Sequence, residues 1–259
     1  MGGESTTRTA PRSGGGTSTG PVGSRTGQRL SGLAVALGLV LFLAGFAWVA
    51  LTYRPYTVPT SSMTPTISAG DRVLAQRVDA GEVRRGDVVV FRDSTWIDNS
   101  AVVKRVVAVG GDTVACCTNG KLTVNGKQIE EPYLPKGSLA EIKGFPTVTV
   151  PAGRLFLLGD ERQGSLDSTA HLADAARGTV ASNAVSARVD AVIWPMRGML
   201  KRPTGFETLG ALSEPGPLRT IGLMIVVGGV LVLAGGAYGP VAKLLGRRGR
   251  SRKEPAGAR

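Results

Sequence analysis

The chain has 259 residues, 31 Lys and Arg against 19 Asp and Glu, a formal charge of +12, one His, two Cys and 5% aromatic residues. That length buries a core in one or two domains. A lone His and two adjacent Cys exclude a zinc finger, an internal Cys/His metal cluster and a disulfide framework, and no metal or cofactor is expected.

Residues 1–28 are Gly, Ser, Thr and Arg with almost no apolar content, which predicts a disordered basic tail. Residues 30–51 then run for 22 positions without a charge. A bilayer core needs roughly 20 such residues. The apolar part of a cleaved leader runs only about 7 to 15, so the stretch predicts an anchor. Trp48, Tyr53 and Tyr56 sit where a membrane–water belt belongs.

Residues 53–217 read as β-rich. Val-rich runs bounded by Gly, Asp or Pro predict strands at 72–78, 87–92, 101–109, 112–116, 121–124, 147–150, 154–158 and 186–194. Asn119-Gly120 and Asn125-Gly126 flank one run and predict a hairpin meander. No long amphipathic helix interrupts them. The fold class expected is mostly β, an antiparallel extracytoplasmic domain between two transmembrane helices.

Three segments of this domain carry candidate chemistry. Val58-Pro59-Thr60-Ser61-Ser62-Met63-Thr64-Pro65-Thr66-Ile67 is dense in hydroxyls and stiffened by two prolines, and on its residues alone it is also an ordinary Ser/Thr-rich linker. In the run 101–109, alternation puts Lys104 on one face with Val102, Val106 and Ala108. A lysine among apolar neighbours loses proton affinity and can serve a serine hydroxyl as a base. The alternative is a strand-edge lysine whose head reaches water. The loop Leu158-Gly159-Asp160-Glu161-Arg162-Gln163-Gly164-Ser165-Leu166-Asp167-Ser168-Thr169 can return a hydroxyl and a carboxylate to such a base, or form a plain polar turn.

Past the domain, residues 220–241 form a second uncharged run of 22, bracketed by Arg219 and Lys243, and residues 242–259 make a short basic tail suited to an anionic leaflet. The charge is unevenly placed: residues 1–29 carry +3, residues 218–259 carry +7, and the long middle only +2. By the positive-inside rule both tails are cytoplasmic and the domain lies across the membrane, a multi-pass arrangement. The same distribution removes the reason to expect nucleic-acid binding by the domain.

In this order behind an anchor, these segments resemble the bacterial type I signal peptidases (leader peptidases). The family's nucleophile box resembles Pro59 to Ile67, its glycine-aspartate box resembles Arg85-Gly86-Asp87-Val88-Val89-Val90-Phe91, and its lysine box resembles Val103-Lys104-Arg105-Val106-Val107-Ala108-Val109-Gly110-Gly111-Asp112. The last box resembles Gly159 to Thr169. The likeness covers residues of about 30 to 200 and implies a membrane serine endopeptidase that removes signal peptides from exported preproteins after small residues of Ala-x-Ala type. It implies Ser62 as nucleophile, Lys104 as general base, and Thr60 with the Ser62 backbone N–H as oxyanion donors. Ser165 would orient the lysine, with Asp167 behind it and Asp160 and Arg162 as framework. Val58, Met63, Val102 and Val103 would line the pocket for small side chains. Thr169 stands where the family has Arg, and Glu161 where it has Asn. Implied partners are preprotein signal peptides, the lipid bilayer and the export translocon.

His171 lacks a Gly-x-Ser-x-Gly elbow and reads as a polar loop residue. Cys116-Cys117 make a poor catalytic pair and suit either a vicinal disulfide or an intermolecular bond. Trp194-Pro195-Met196 reads as a seat at the bilayer or as ordinary packing. Two further readings compete with a signal peptidase: a self-cleaving Ser-Lys protease like the SOS repressors, against which the spans count, and a non-catalytic envelope domain that binds a partner.

Overall fold

The computed structural model describes residues 25–96, 100–135 and 144–251; residues 1–24 and 252–259, most of the two expected tails, lie outside them. The chain divides into two units, residues 1–43 with 225–259, and residues 44–224.

Helix α1 (Arg25–Thr52) starts ahead of the uncharged run, and α2 (Leu218–Ser251) continues past it. Both are long and apolar enough to cross a membrane. Within the first unit the two helices meet at glycines. A Cβ on Gly38 would lie 2.7 Å from the Gly228 carbonyl oxygen, and one on Gly228 would lie 2.6 Å from the Phe42 nitrogen. The Ser31 hydroxyl donates to the Gly235 carbonyl at 2.7 Å. In an apolar solvent, where hydrophobic attraction between helices is absent, such close backbone approach and interhelical hydrogen bonding hold a pair together.

The second unit is built of antiparallel strands. Strands β1 (Tyr53–Thr57), β2 (Arg72–Gln76), β3 (Val88–Phe91), β4 (Val102–Val109), β9 (Arg154–Leu158), β10 (Thr179–Ala181) and β11 (Val185–Trp194) form one sheet in the order β1-β2-β11-β3-β4-β9-β10, with β12 (Gly198–Met199) folded back on β11. A smaller sheet runs β7-β6-β5-β8, from β5 (Thr113–Thr118), β6 (Lys121–Val124), β7 (Lys127–Gln128) and β8 (Phe145–Thr149). All eight expected strands are present, and both Asn-Gly pairs make their turns with positive φ at each residue, the geometry that closes two-residue hairpins.

The strands not expected are β1, β7, β10 and β12. Three have only two or three residues, too short for a period to show. Strand β1 contains Pro55, which normally argues against a strand but is tolerated at the edge of a sheet, where β1 lies.

Val-rich strands buried on both faces give three apolar clusters, around Phe156 and Leu122, around Met63 and Val73, and around Phe91 and Leu157. In β4 the expected company of Lys104 is corrected at one position. The pairing of β4 with β9 slips by one residue between Val106 and Ala108. Ala108 therefore joins Val107 in the first cluster, while Val102 and Val106 stay together in the third.

The segment after β12 belongs to the domain as well. Phe206 is wholly buried in the first cluster. Arg202 pairs with Asp190 at 2.7 Å, the Ser213 hydroxyl donates to Asp87 at 2.6 Å, and Lys127 Nζ donates to the Thr208 carbonyl at 2.9 Å. Cys116 and Cys117 are joined to each other as a vicinal disulfide. Replacing Phe206→Ala leaves a cavity under the small sheet and destabilises the folded domain by about 3–5 kcal/mol; thermal or denaturant melting in detergent, compared with wild type, measures it.

Candidate active site

The segment after β1 is held by its apolar residues. Met63 and Ile67 are fully buried, and a turn of backbone hydrogen bonds, Thr64 N–H to the Ser61 carbonyl and Ile67 N–H to the Met63 carbonyl, both 2.9 Å, fixes the loop above them. Ser62, immediately before the buried Met63, is thereby raised half-buried at the mouth of a cleft of about 370 Å³. Residues 56–62, Val90, residues 100–104, Gly164 and Leu166 line it. Val58, Val102 and Val103 are in that lining. Met63 is not: its side chain points down into the core with Val73 and Val90, because it is the anchor of the loop rather than part of its open surface.

Across the cleft, β4 presents Lys104. Its Nζ lies 2.8 Å from Ser62 Oγ, and the Thr60 hydroxyl donates to Ser62 Oγ at 3.2 Å. Lys104 is 3% exposed, and among the described residues no carboxylate forms an ion pair with it. Burial pushes the amine below the ordinary lysine range, because an ammonium ion loses its water there; Asp167 and then Asp160 pull the other way. The register pairs Lys104 with Val89 and Val102 with Phe91, so the surroundings that strip its water are hydrocarbon.

The last loop packs directly on the serine. The Glu161 N–H donates to the Ser62 carbonyl at 3.1 Å. A Cβ on Gly159 would stand 2.1 Å from Ser165 Oγ and 2.5 Å from the Ser62 carbonyl oxygen, so only glycine admits this approach. Ser165 is brought beside Ser62, but its buried hydroxyl makes no hydrogen bond, to Lys104 or to any other described group. The expected serine-to-lysine bond is therefore not made; Ser165 is packed against Gly159, and the lysine's partner is Ser62.

Asp167 accepts from the Gly159 N–H at 2.9 Å through one oxygen, and from the Thr169 N–H at 3.1 Å and hydroxyl at 2.8 Å through the other. Thr169, in the place of a family arginine, thus holds the carboxylate with hydrogen bonds and leaves its charge in place. Glu161 closes the loop by accepting from the Gly164 N–H. His171 stacks on Trp96 and bonds to Asp174 outside the cleft.

Asp160 and Arg162 have partners that the sequence did not reveal. Asp160 takes a two-point fork from Arg105, at 2.8 and 2.6 Å, and a hydrogen bond from the Thr66 hydroxyl at 2.5 Å. Arg162 pairs with Glu131 at 2.6 Å. The only advance sign of Arg105 was a second charge in a strand otherwise apolar; Glu131 carried none.

Residues 30–194, well over half the chain, match the family described as Signal peptidase, peptidase S26. The chain belongs to the signal peptidase family. It is therefore a signal-peptide-processing serine endopeptidase, a hydrolase, and its two apolar helices accord with a membrane anchor. Signal peptidase I of Mycobacterium tuberculosis strain H37Rv is 33% identical over 224 residues, covering 68% of this chain and 75% of that protein. Signal peptidase I of Bacillus licheniformis is 35% identical over 145 residues, 52% of this chain and 74% of the relative. A solved signal peptidase I from Enterococcus faecalis V583 aligns at a TM-score of 0.33 and 25% identity, covering 46% of this chain and 97% of that one.

The opposed influences on Lys104 make a titration test. Asp167→Asn removes a negative charge that favours the ammonium form, so the Lys104 amine titrates at still lower pH than in wild type. NMR of labelled lysine side chains, with Lys104→Ala as the assignment control, measures this; an upward movement contradicts it.

Proposed function

We propose that this signal peptidase works through a Ser62–Lys104 dyad. The observation that carries the reading is the 2.8 Å contact between Ser62 Oγ and a buried lysine amine that no anion among the described residues pairs with. A neutral amine is what a serine hydroxyl needs as a base, and burial shifts Lys104 toward that form. Lys104 Nζ takes the Ser62 proton as Oγ bonds to the scissile carbonyl carbon. The carbonyl oxygen, now negative, is met by the Ser62 backbone N–H and the Thr60 hydroxyl, donors of a kind typically worth about 2.7–4 kcal/mol each. The C–N bond then breaks, and the departing amine receives the proton from Lys104. With Lys104 neutral again, it takes a proton from water, whose oxygen attacks the acyl-Ser62 carbonyl; as the ester C–O bond breaks, Lys104 returns that proton to Ser62 Oγ.

The hydrocarbon lining from Val58, Val90, Val102 and Val103 favours small apolar side chains ahead of the cut, as in Ala-x-Ala. Asp160, Arg162, Ser165 and Asp167 are assigned to shaping the loop around the dyad.

The domain is placed on the outer side of the membrane, with both termini cytoplasmic, the bilayer around both helices and the export translocon as neighbour. The charge of the flanks supports this orientation, since positive residues resist translocation. Preproteins held in the bilayer by their own apolar segments would meet a serine that follows the first uncharged run by 11 residues of chain.

Two experiments test the proposal. In detergent, wild type cleaves a preprotein while Ser62→Ala and Lys104→Ala lose activity by at least about 10³-fold; undiminished cleavage by either overturns the dyad. In intact cells, tags at either terminus are protected from external protease while the domain is digested; digestion of a terminal tag reverses the orientation.

A further inference from the structure

Behind the cleft lies a buried cluster of charges that the dyad does not use. Arg105, next to Lys104 on β4, is 2% exposed, and each direction of its guanidinium is occupied. Asp160 takes Nε and one Nη, the Gly86 carbonyl takes the other Nη at 2.8 Å, and the Tyr133 ring lies flat beneath, 3.9 Å from Cζ to the ring centre. Tyr133 donates its hydroxyl to Glu131, whose same oxygen receives Arg162. Glu131 and Arg162 are each 2% exposed in their side chains. Two buried cations thus face two buried carboxylates, an arrangement in which removing one member leaves an uncompensated charge.

The placement of these residues gives the cluster a direction. Glu131 and Tyr133 follow β7 and are fixed to the small sheet, where Ile129 is buried and its N–H donates to the Leu122 carbonyl at 2.8 Å. Asp160, at the other end, holds Thr66, four residues past Ser62 in the same loop. Ser62 is thus reached through Thr66, and Lys104 through its neighbour Arg105.

We propose that Glu131 and Tyr133, carried by the small sheet, are positioning residues for the reaction, acting through Arg162 and Arg105 on Asp160 and Thr66 to hold Ser62 at its contact distance from Lys104. The proposal rests on the dyad reading. A displacement of about 1 Å between reacting groups costs rate by up to about 10²-fold while leaving the cleft walls, and so substrate binding, in place.

The test uses the full chain in detergent with a preprotein substrate, rates being expressed per folded molecule as judged by melting. Glu131→Gln removes the charge at constant shape, and Tyr133→Leu removes the ring under Arg105. Each lowers kcat by about 10- to 100-fold with KM within about twofold of wild type. Tyr133→Phe, which keeps the ring, restores kcat to within about fivefold. Thr66→Val, a change at the half-buried end of the chain of contacts that keeps the fold, lowers kcat in the same way; if the buried variants do not fold, this one decides. Wild-type kcat in the folded variants, or a loss carried by KM alone, overturns the proposal. Its failure is distinct from failure of the dyad: in the first case Ser62→Ala is inactive and the cluster variants are normal, and in the second Ser62→Ala still cleaves.

Discussion

The fork between Arg105 and Asp160 is the joint on which the site depends. An ion pair this deep pays a desolvation cost that its own attraction does not reliably repay. Here the cost is offset because each nitrogen of the guanidinium has an acceptor and its face has a ring. What the joint secures is geometry. It locks strand β4 to the loop after β9, and through Thr66 to the loop that lifts Ser62. Two consecutive residues of one strand consequently have opposite fates, Arg105 surrounded by partners and Lys104 bonded, among the described residues, to a single hydroxyl.

That contrast governs the electrostatics of the cleft. A carboxylate near a lysine favours the ammonium form, and both Asp160 and Asp167 act in this sense on Lys104. Asp160 is largely committed to Arg105, so its pull is countered by an adjacent cation. Among the described residues Asp167 has only N–H and O–H donors, from Gly159 and Thr169. The proton affinity of Lys104 is thus lowered by burial and raised by Asp167 and then Asp160, while Thr169 hydrogen-bonds the first of these carboxylates. The threonine found there is a substitution with a chemical meaning, since it supports Asp167 without neutralising it.

Much of this was legible in the order of residues. Val-rich runs gave the strands, Asn-Gly pairs gave the meander, and a lysine in a hydrocarbon strand pointed to an amine short of water. These are local signals with a period or a turn chemistry behind them. What stayed hidden depends on pairing across long separations. Arg105 and Asp160 are 55 positions apart, and Arg162 and Glu131 are 31 apart, and nothing in either segment announces the other. A one-residue slip in the β4–β9 pairing moved Ala108 to another face, and no single strand records its neighbour's register. The family resemblance places Met63 in the pocket, whereas its side chain is buried with Val73 and Val90 under the loop. Ser165 packs against Gly159, and its hydroxyl makes no hydrogen bond among the described residues.

The family match ends at residue 194, but the fold does not. Phe206 fills the first apolar cluster and Ser213 closes over the buried Asp87, so the polypeptide that leads toward α2 is first spent on completing the peptidase body. A water-soluble excised form cut at the family boundary would have a hole where a phenylalanine ring belongs and a buried carboxylate without its hydroxyl. The residues that complete the buried core run on to Ser213, so for this chain the limit of the homologous motif and the limit of the packed body are different positions.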